Sequence, residues 1–103
     1  MAYKIAVTED AERDLADIVS YIAHDLANPT AAADLLDAVA DCFSSLSAMP
    51  KMHPLCRDGR LFSLGYRRAV IKNYVMVYRA DDAGHAVYVL RFFYGRREYE
   101  KLL

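Results

Sequence analysis

Apolar side chains in the first half of the chain recur with the spacing of helices, after one stretch that alternates like a strand. Residues 2–7 alternate and are rich in strand formers, which predicts a first β-strand. Thr8 and Asn28 are predicted to cap two helices, and Pro29 suits the first position of the second. The two apolar stripes comprise Leu15, Ile18, Val19, Ile22 and Leu26, and then Ala32, Leu35, Leu36, Val39, Phe43 and Leu46. A short connection between two such helices predicts an antiparallel helical hairpin.

The second half carries strand-like runs after a turn-rich loop. Pro50 and Pro54 end the helical pattern. We predict a loop at 50–60, strands at 61–71, 74–79 and 86–94, and a final short helix at 96–103. Short connections make these strands an antiparallel meander, which the first strand joins at an edge. The predicted fold is α+β, in the order β-α-α-β-β-β(-α), with the long N-terminal helical hairpin packed on one face of a small, mainly antiparallel four-stranded sheet.

Both faces of this predicted sheet are apolar or aromatic. Strict alternation puts Val87, Val89 and Phe93 on one side, and Tyr88, Leu90, Phe92 and Tyr94 on the other. In the middle strand, Tyr74, Met76 and Tyr78 oppose Val75 and Val77. One helical hairpin covers one face only. We therefore expect the other face to be an aromatic surface edged by Arg67, Arg79 or Arg91 and partly covered by the C-terminal helix, and such a surface marks a binding site.

Charge divides the chain more sharply than its net value of −1 suggests. Residues 1–50 hold two basic and nine acidic side chains, a net charge of −7. Residues 51–103 hold eleven basic and five acidic side chains, a net charge of +6. This separation predicts a basic face for an anion, either nucleic acid or an acidic protein.

Composition excludes several classes of protein. A length of 103 residues predicts a single domain over 1–103. There is no apolar run long enough for a membrane span and no signal-peptide pattern, so we expect a cytoplasmic chain without a membrane partner. Cys42 and Cys56 are predicted to be free thiols, and no metal-ligand spacing occurs. We therefore expect no metal, cofactor or small-molecule substrate.

Arginine and tyrosine are interleaved at two places, 65–68 and 94–99. The candidate target- or RNA-binding residues are Arg67, Arg68, Arg91, Tyr94, Arg96 and Arg97. Arginine binds phosphate in bidentate fashion and tyrosine stacks on bases, which suits single-stranded RNA. The same residues are typical of protein interfaces, so both alternatives stay open. His24, His53 and His85 are interpreted as solvent-facing residues.

The order of elements and motifs resembles the RelE/ParE superfamily of toxins from bacterial type II toxin–antitoxin pairs. The resemblance covers nearly the whole chain. Its motifs are Ala11-x-x-Asp14-Leu15-x-Asp17-Ile18-x-x-Tyr21-Ile22-Ala23, Asn28-Pro29-x-Ala31-Ala32, Leu46-x-x-Met49-Pro50, Gly65-Tyr66-Arg67-Arg68, Asn73-Tyr74-x-x-x-Tyr78-Arg79 and Val89-Leu90-Arg91-x-x-Tyr94-Gly95-Arg96-Arg97. The resemblance implies a RelE/ParE-like fold and a growth-inhibiting toxin of the kind linked to plasmid stabilisation, neutralised by a cognate antitoxin that wraps its sheet and helices.

Two activities occur in this superfamily. ParE-like members inhibit DNA gyrase, whereas RelE-like members cleave mRNA on the ribosome without a metal. The long hairpin and the Asn28-Pro29 junction are more similar to the ParE side, and Val75 stands where the nucleases often carry arginine. If the chain is instead an endoribonuclease, the resemblance implies Arg68, Arg97 and Tyr99 as catalytic residues. A third alternative is a non-toxic decoy that binds the antitoxin.

Overall fold

The computed structural model describes residues 2–95 and 103, and it has the α+β architecture that the sequence predicts. Its elements are β1 (Lys4–Val7), α1 (Glu9–Ser20), a π-helical turn (Tyr21–Asp25), α2 (Pro29–Ala48), α3 (Gly59–Ser63), β2 (Tyr66–Ile71), β3 (Tyr74–Asp81) and β4 (Ala86–Tyr94). The predicted final helix at 96–103 falls, except for Leu103, outside the described residues. No helix among the described residues is long and apolar enough to cross a membrane.

The four strands form one sheet in the order β1-β4-β3-β2. Strands β2, β3 and β4 are antiparallel neighbours, while β1 runs parallel to β4 at one edge. The predicted meander and the edge position of the first strand are therefore confirmed. Short turns join the antiparallel strands, and the left-handed backbone of Lys72, with φ of 57°, makes the first of them tight.

Both predicted helix caps are present. The Thr8 hydroxyl accepts a hydrogen bond from the Ala11 N–H at 3.1 Å, and the Asn28 side-chain oxygen accepts one from the Ala31 N–H at 3.1 Å. Each such cap stabilises a helix by about 1 kcal/mol. Leu26 does not continue the first apolar stripe and is exposed. The π-helical turn before it has more residues per turn than an α-helix, so the stripe rotates away from the sheet there.

The main core lies between the hairpin and the inner face of the sheet, defined as the face toward α1 and α2. Its buried residues include Ile22, Leu35, Val39, Leu46, Met76, Tyr78, Val87 and Val89. The Tyr78 side chain is fully buried, and its hydroxyl has no hydrogen-bond partner among the described residues. Burial raises the pKa of Tyr78.

The predicted strand over 61–71 is wrong in its first part, because the chain forms α3 there. The Asp58 carboxylate caps this helix by accepting hydrogen bonds from the N–H groups of Arg60 and Leu61 at 3.0 and 3.1 Å. Gly65, with φ of 77°, ends it in the left-handed conformation that favours glycine. Strand β2 begins only at Tyr66.

The outer face of the sheet, opposite the helical hairpin, is covered at its centre. Cys56 and Leu61 pack there against Val75, Val77 and Phe93, and all five are buried. The partial cover expected for this face is therefore present, although its predicted source, the C-terminal helix, falls outside the described residues except for Leu103. The cover comes from α3 and the loop before it, whose isolated apolar residues carry no periodic signal. Both Cys42 and Cys56 are free thiols.

Strand β4 does not alternate strictly. Its pairing with β3 shifts between Val77 and Tyr78, which pair with Arg91 and Val89 and leave Leu90 as the extra residue of a bulge. Phe92 consequently joins the inner core with Val87 and Val89, whereas Phe93 joins the outer cluster. The predicted faces of Phe92 and Phe93 are therefore exchanged.

Candidate functional site

The end of β4 is an edge that α1 covers. Strand β1 ends at Val7, which pairs with Val89, so the later residues of β4 pair with β3 on one side and have no strand on the side of β1. The Thr8 hydroxyl donates to the Leu90 carbonyl at 3.0 Å, and the Asp14 carboxylate accepts from the Phe92 N–H at 3.1 Å. These side chains satisfy backbone groups that would otherwise offer a template for another strand.

Asp14 also fixes Arg91. The Arg91 Nε and Nη2 atoms donate to the two carboxylate oxygens at 2.6 and 3.1 Å, with side-chain exposures of 30% for Arg91 and 19% for Asp14. These hydrogen bonds raise the pKa of Arg91. The guanidinium lies 5.1 Å from the ring centre of Phe93. Arg91, a candidate target-binding residue, therefore already has an intramolecular partner.

Arg67 and Arg68 are adjacent in β2 and lie on opposite faces of the sheet. Arg67 faces inward, where its Nη1 atom donates to the His53 carbonyl at 2.8 Å, so it holds the loop before α3. His53 is half-buried rather than solvent-facing, and burial lowers its pKa. Arg68 lies on the outer face opposite Val77, and its side chain makes no hydrogen bond with a described residue. The predicted basic surface is thus divided between two faces.

A row of three half-buried side chains crosses the outer face beside the covered centre. Tyr66, Arg79 and Tyr88 are aligned in register across β2, β3 and β4, and we call them the outer row. The Arg79 Cζ atom lies 4.8 Å from the centre of the Tyr88 ring. Stacking on tyrosine leaves the edge of a guanidinium open to a carboxylate or phosphate. Only the strand register reveals this row, which is why the sequence analysis did not single it out.

Tyr94 lies at the end of the sheet, where it is 46% exposed. Its ring meets that of Tyr74 edge-on, with the ring centres 5.9 Å apart. Both rings line a cleft of about 690 Å³ between the end of the sheet and the end of α1. The remaining candidates Arg96, Arg97 and Tyr99 lie outside the described residues.

The chemistry available on the described outer face is anion binding at its rim. Arg68 and Arg91 flank Val77 from the two neighbouring strands, and Arg79 lies one row away. The centre between them consists of buried apolar residues.

A protein-family model described as the ParE toxin of the type II toxin–antitoxin system parDE matches residues 5–99. No curated protein sequence matches the chain significantly.

Solved structures resemble the chain over most of its length. A chain from the RelBE2 toxin–antitoxin complex of Mycobacterium tuberculosis is 25% identical, with a TM-score of 0.64 over 91% of this chain and 99% of that one. A chain from the chromosomal ParDE toxin–antitoxin system of P. aeruginosa is 16% identical, with a TM-score of 0.68 over 88% and 94% of the two chains. The second likeness shows a shared fold.

Proposed function

Because the chain belongs to the ParE toxin family of type II toxin–antitoxin systems, we propose that it stops growth, when free, by inhibiting DNA gyrase. In this proposal it works in the cytoplasm, and a cognate antitoxin keeps it inactive until that antitoxin is lost. The chain is then an inhibitor that acts by binding its target, without a cofactor.

The observation that favours inhibition over mRNA cleavage is the burial of Val75. RelE-like nucleases often carry arginine at this place, directly after the tyrosine that begins the middle strand. Here Val75 is 6% exposed and packs with Val77 and Phe93 beneath Cys56 and Leu61. A charged side chain at such a position would lose its hydration without a partner. The centre of the outer face is therefore a packed apolar cluster.

An apolar groove supports the antitoxin as partner. It has a volume of about 330 Å³ and is lined by residues of both long helices, among them Leu15, Val19, Leu36 and Phe43. Leu36 is 44% exposed. An apolar groove between helices is typical of sites that take an apolar segment of another protein. The similar solved chains come from toxin–antitoxin complexes, which agrees with this partner.

Induction in cells tests the proposal. Expression of the chain alone should stop growth, and co-expression of an adjacent antitoxin gene should restore it. Mapping of mRNA 5′ ends within minutes of induction should find no codon-phased cleavage. If growth continues at full rate while the chain accumulates in soluble form, the chain is a non-toxic antitoxin-binding decoy and the proposal is wrong.

A metal-free, ribosome-dependent endoribonuclease is the second candidate. The observation in its favour is Arg68, which lies opposite Val77 on the outer face, makes no side-chain hydrogen bond with a described residue, and suits a phosphate group. Arg68, Arg97 and Tyr99 would be its catalytic residues. Codon-phased mRNA ends that disappear in the Arg68→Ala variant would establish this candidate and exclude gyrase as the primary target.

A further inference from the structure

We propose that the cleft at the end of the sheet is a binding site for a cationic side chain, arginine or lysine, that projects from the antitoxin. We call it the end cleft, and its lining residues include Asp17, Tyr21, Tyr74, Phe92 and Tyr94. The choice of the antitoxin as donor of that side chain rests on the proposed function. The chemistry of the cleft does not.

Aromatic rings form the walls of the end cleft. Tyr74 and Tyr94 meet edge-on with centres 5.9 Å apart, and Tyr21 stands at the rim with 52% of its surface exposed. Burial, followed by the neighbouring Tyr94 and Tyr21, raises the pKa of Tyr74, so its phenol stays neutral at physiological pH. Neutral aromatic faces attract cations through their quadrupoles, and several rings around one site are the usual arrangement for cation recognition.

Among the described residues, the charge that lines the end cleft is negative and only partly compensated. Two carboxylates line it, and Asp14 is already paired with Arg91. Asp17 lies one helical turn further along α1, is exposed, and makes no hydrogen bond or ion pair with a described residue. The lining contains no basic side chain among the described residues. A cation that enters between the rings would meet the Asp17 carboxylate, whereas an anion would be repelled.

The local fold keeps the end cleft open. The π-helical turn at Tyr21–Asp25 follows α1 directly, and Tyr21 and Leu26 lie exposed at its two ends with 52% and 54% exposure. Large apolar side chains left in water beside a concave wall mark a surface that a partner covers. Interruptions of this kind in α-helices are frequently found at functional sites.

The position of the cleft on α1 favours the antitoxin over a free amine. Ile18 and Tyr21 of this helix region line the end cleft, while Leu15 and Val19 line the apolar groove that the antitoxin is proposed to cover. Residues three and four apart share a helix face, so these two pairs occupy neighbouring faces of one helix. A single polypeptide that follows the groove can therefore place a basic side chain in the end cleft.

Titration of the full-length chain with capped arginine tests the site. The probe is N-acetyl-arginine methylamide, and its neutral isostere N-acetyl-citrulline methylamide is the control ligand. We expect arginine to shift amide resonances of the end cleft by NMR and to bind at least fivefold more tightly than citrulline, because only arginine is charged. Asp17→Asn should reduce arginine affinity about five- to tenfold. Asp37→Asn, an exposed aspartate on α2, should leave it unchanged.

Four results would overturn the proposal. Equal binding of arginine and citrulline would show that charge is irrelevant. Equal affinity in wild type and Asp17→Asn, or resonance shifts confined to another surface, would show that the cation binds elsewhere. A large gain in arginine affinity in the Arg96→Ala/Arg97→Ala variant would show that the chain's own arginines occupy the cleft.

Neutralisation in cells tests the source of the cation. The Asp17→Asn variant should remain as toxic as the wild type but need several-fold more antitoxin expression for rescue, while Asp37→Asn should need no more. Unchanged rescue of a toxic Asp17→Asn variant would contradict the antitoxin as occupant. Loss of toxicity in the wild type would instead refute the proposed function, and the arginine titration would still decide the chemistry of the cleft.

Discussion

The inner face of the sheet lies against two long helices that bring Leu35, Val39 and Leu46 onto it, whereas the outer face lies against one short helix and a loop that bring only Cys56 and Leu61. Helices α1 and α2 span the inner face with periodic apolar stripes. Among the described residues, the outer cover is small and does not bury the rim of the sheet. The centre of the outer face therefore consists of buried apolar side chains, and Arg68 and Arg79 lie beside it.

This difference separates stability from binding. The inner face holds most of the buried side chains, so its residues determine the free energy of unfolding. The outer rim holds arginines beside tyrosines, so we expect its residues to contact an anionic partner. Truncating a residue of the inner face should therefore lower mainly stability, and truncating a residue of the outer rim should weaken mainly binding.

The largest expected effect is on the free energy of unfolding, when a side chain of the inner core is truncated. Leu46 and Leu61 are both fully buried, on the inner and the outer side respectively. Leu46→Ala should lower the free energy of unfolding by about 3–5 kcal/mol and Leu61→Ala by about 2–3 kcal/mol, because a short helix relaxes into a cavity more readily. Urea unfolding of the two variants measures this. A larger loss for Leu61→Ala would reverse the comparison.

The second-largest expected loss of stability comes from breaking the contact between Asp14 of α1 and Arg91 of β4. Asp14→Ala leaves the half-buried Arg91 guanidinium and the Phe92 N–H without their acceptor. We expect a loss of about 1–3 kcal/mol in the free energy of unfolding. Asp37→Ala on α2 is the matched control, since Asp37 is exposed and unpaired among the described residues. Equal stability of both variants would mean that the Asp14–Arg91 contact contributes nothing.

Truncation of Arg68, on the rim, and of Arg97, a candidate from the sequence, should change toxicity. Arg68→Ala and Arg97→Ala are expected to reduce potency in a growth assay about tenfold, since a hydrogen bond to a charged partner contributes about 1.5–3 kcal/mol. Lys4→Ala, an exposed lysine at the start of β1, should retain full potency. Equal losses in all three variants would show that the basic rim has no special part in toxicity.

The smallest expected effect is on the pH dependence of stability, through the exposed Asp82 carboxylate. Lys51 and then Tyr3 donate hydrogen bonds to Asp82 at 2.6 and 2.8 Å, and these bonds lower the pKa of Asp82. A lowered pKa in the folded state means that the contribution to stability is present above the ordinary aspartate pKa of about 3.9 and is lost as the pH falls below it. The melting temperature of Asp82→Asn should accordingly decline less than that of the wild type between about pH 5 and pH 2. Parallel declines would show that the contact is not maintained in solution.

Local signals in the sequence were sufficient to predict the helical hairpin, its caps at Thr8 and Asn28, and the order of the strands. They were insufficient for Asp14, which lies off the apolar stripe and looks like an ordinary solvated carboxylate. Its partner Arg91 is 77 positions away, and only the folded sheet edge brings them together. Long-range contacts of this kind leave no trace in periodicity.

Two other features, helix α3 and the bulge at Leu90, could not be predicted from the periodic pattern of apolar residues. Leu61 looked like the start of a strand because the cap formed by Asp58 was interpreted as part of a turn. The bulge at Leu90 exchanged the faces of Phe92 and Phe93, since one extra residue reverses the alternation after it. The roles of Arg96, Arg97 and Tyr99 remain predictions because these residues lie outside the described part of the chain.

A supercoiling assay with purified components tests directly whether the chain inhibits DNA gyrase. Relaxed plasmid, DNA gyrase and ATP are incubated with the chain, with the chain and its antitoxin together, or with the Arg68→Ala variant. We expect the wild-type chain to abolish supercoiling, the antitoxin to restore it, and Arg68→Ala to inhibit less. Full gyrase activity in the presence of a chain that arrests growth and cleaves ribosome-bound mRNA would contradict it.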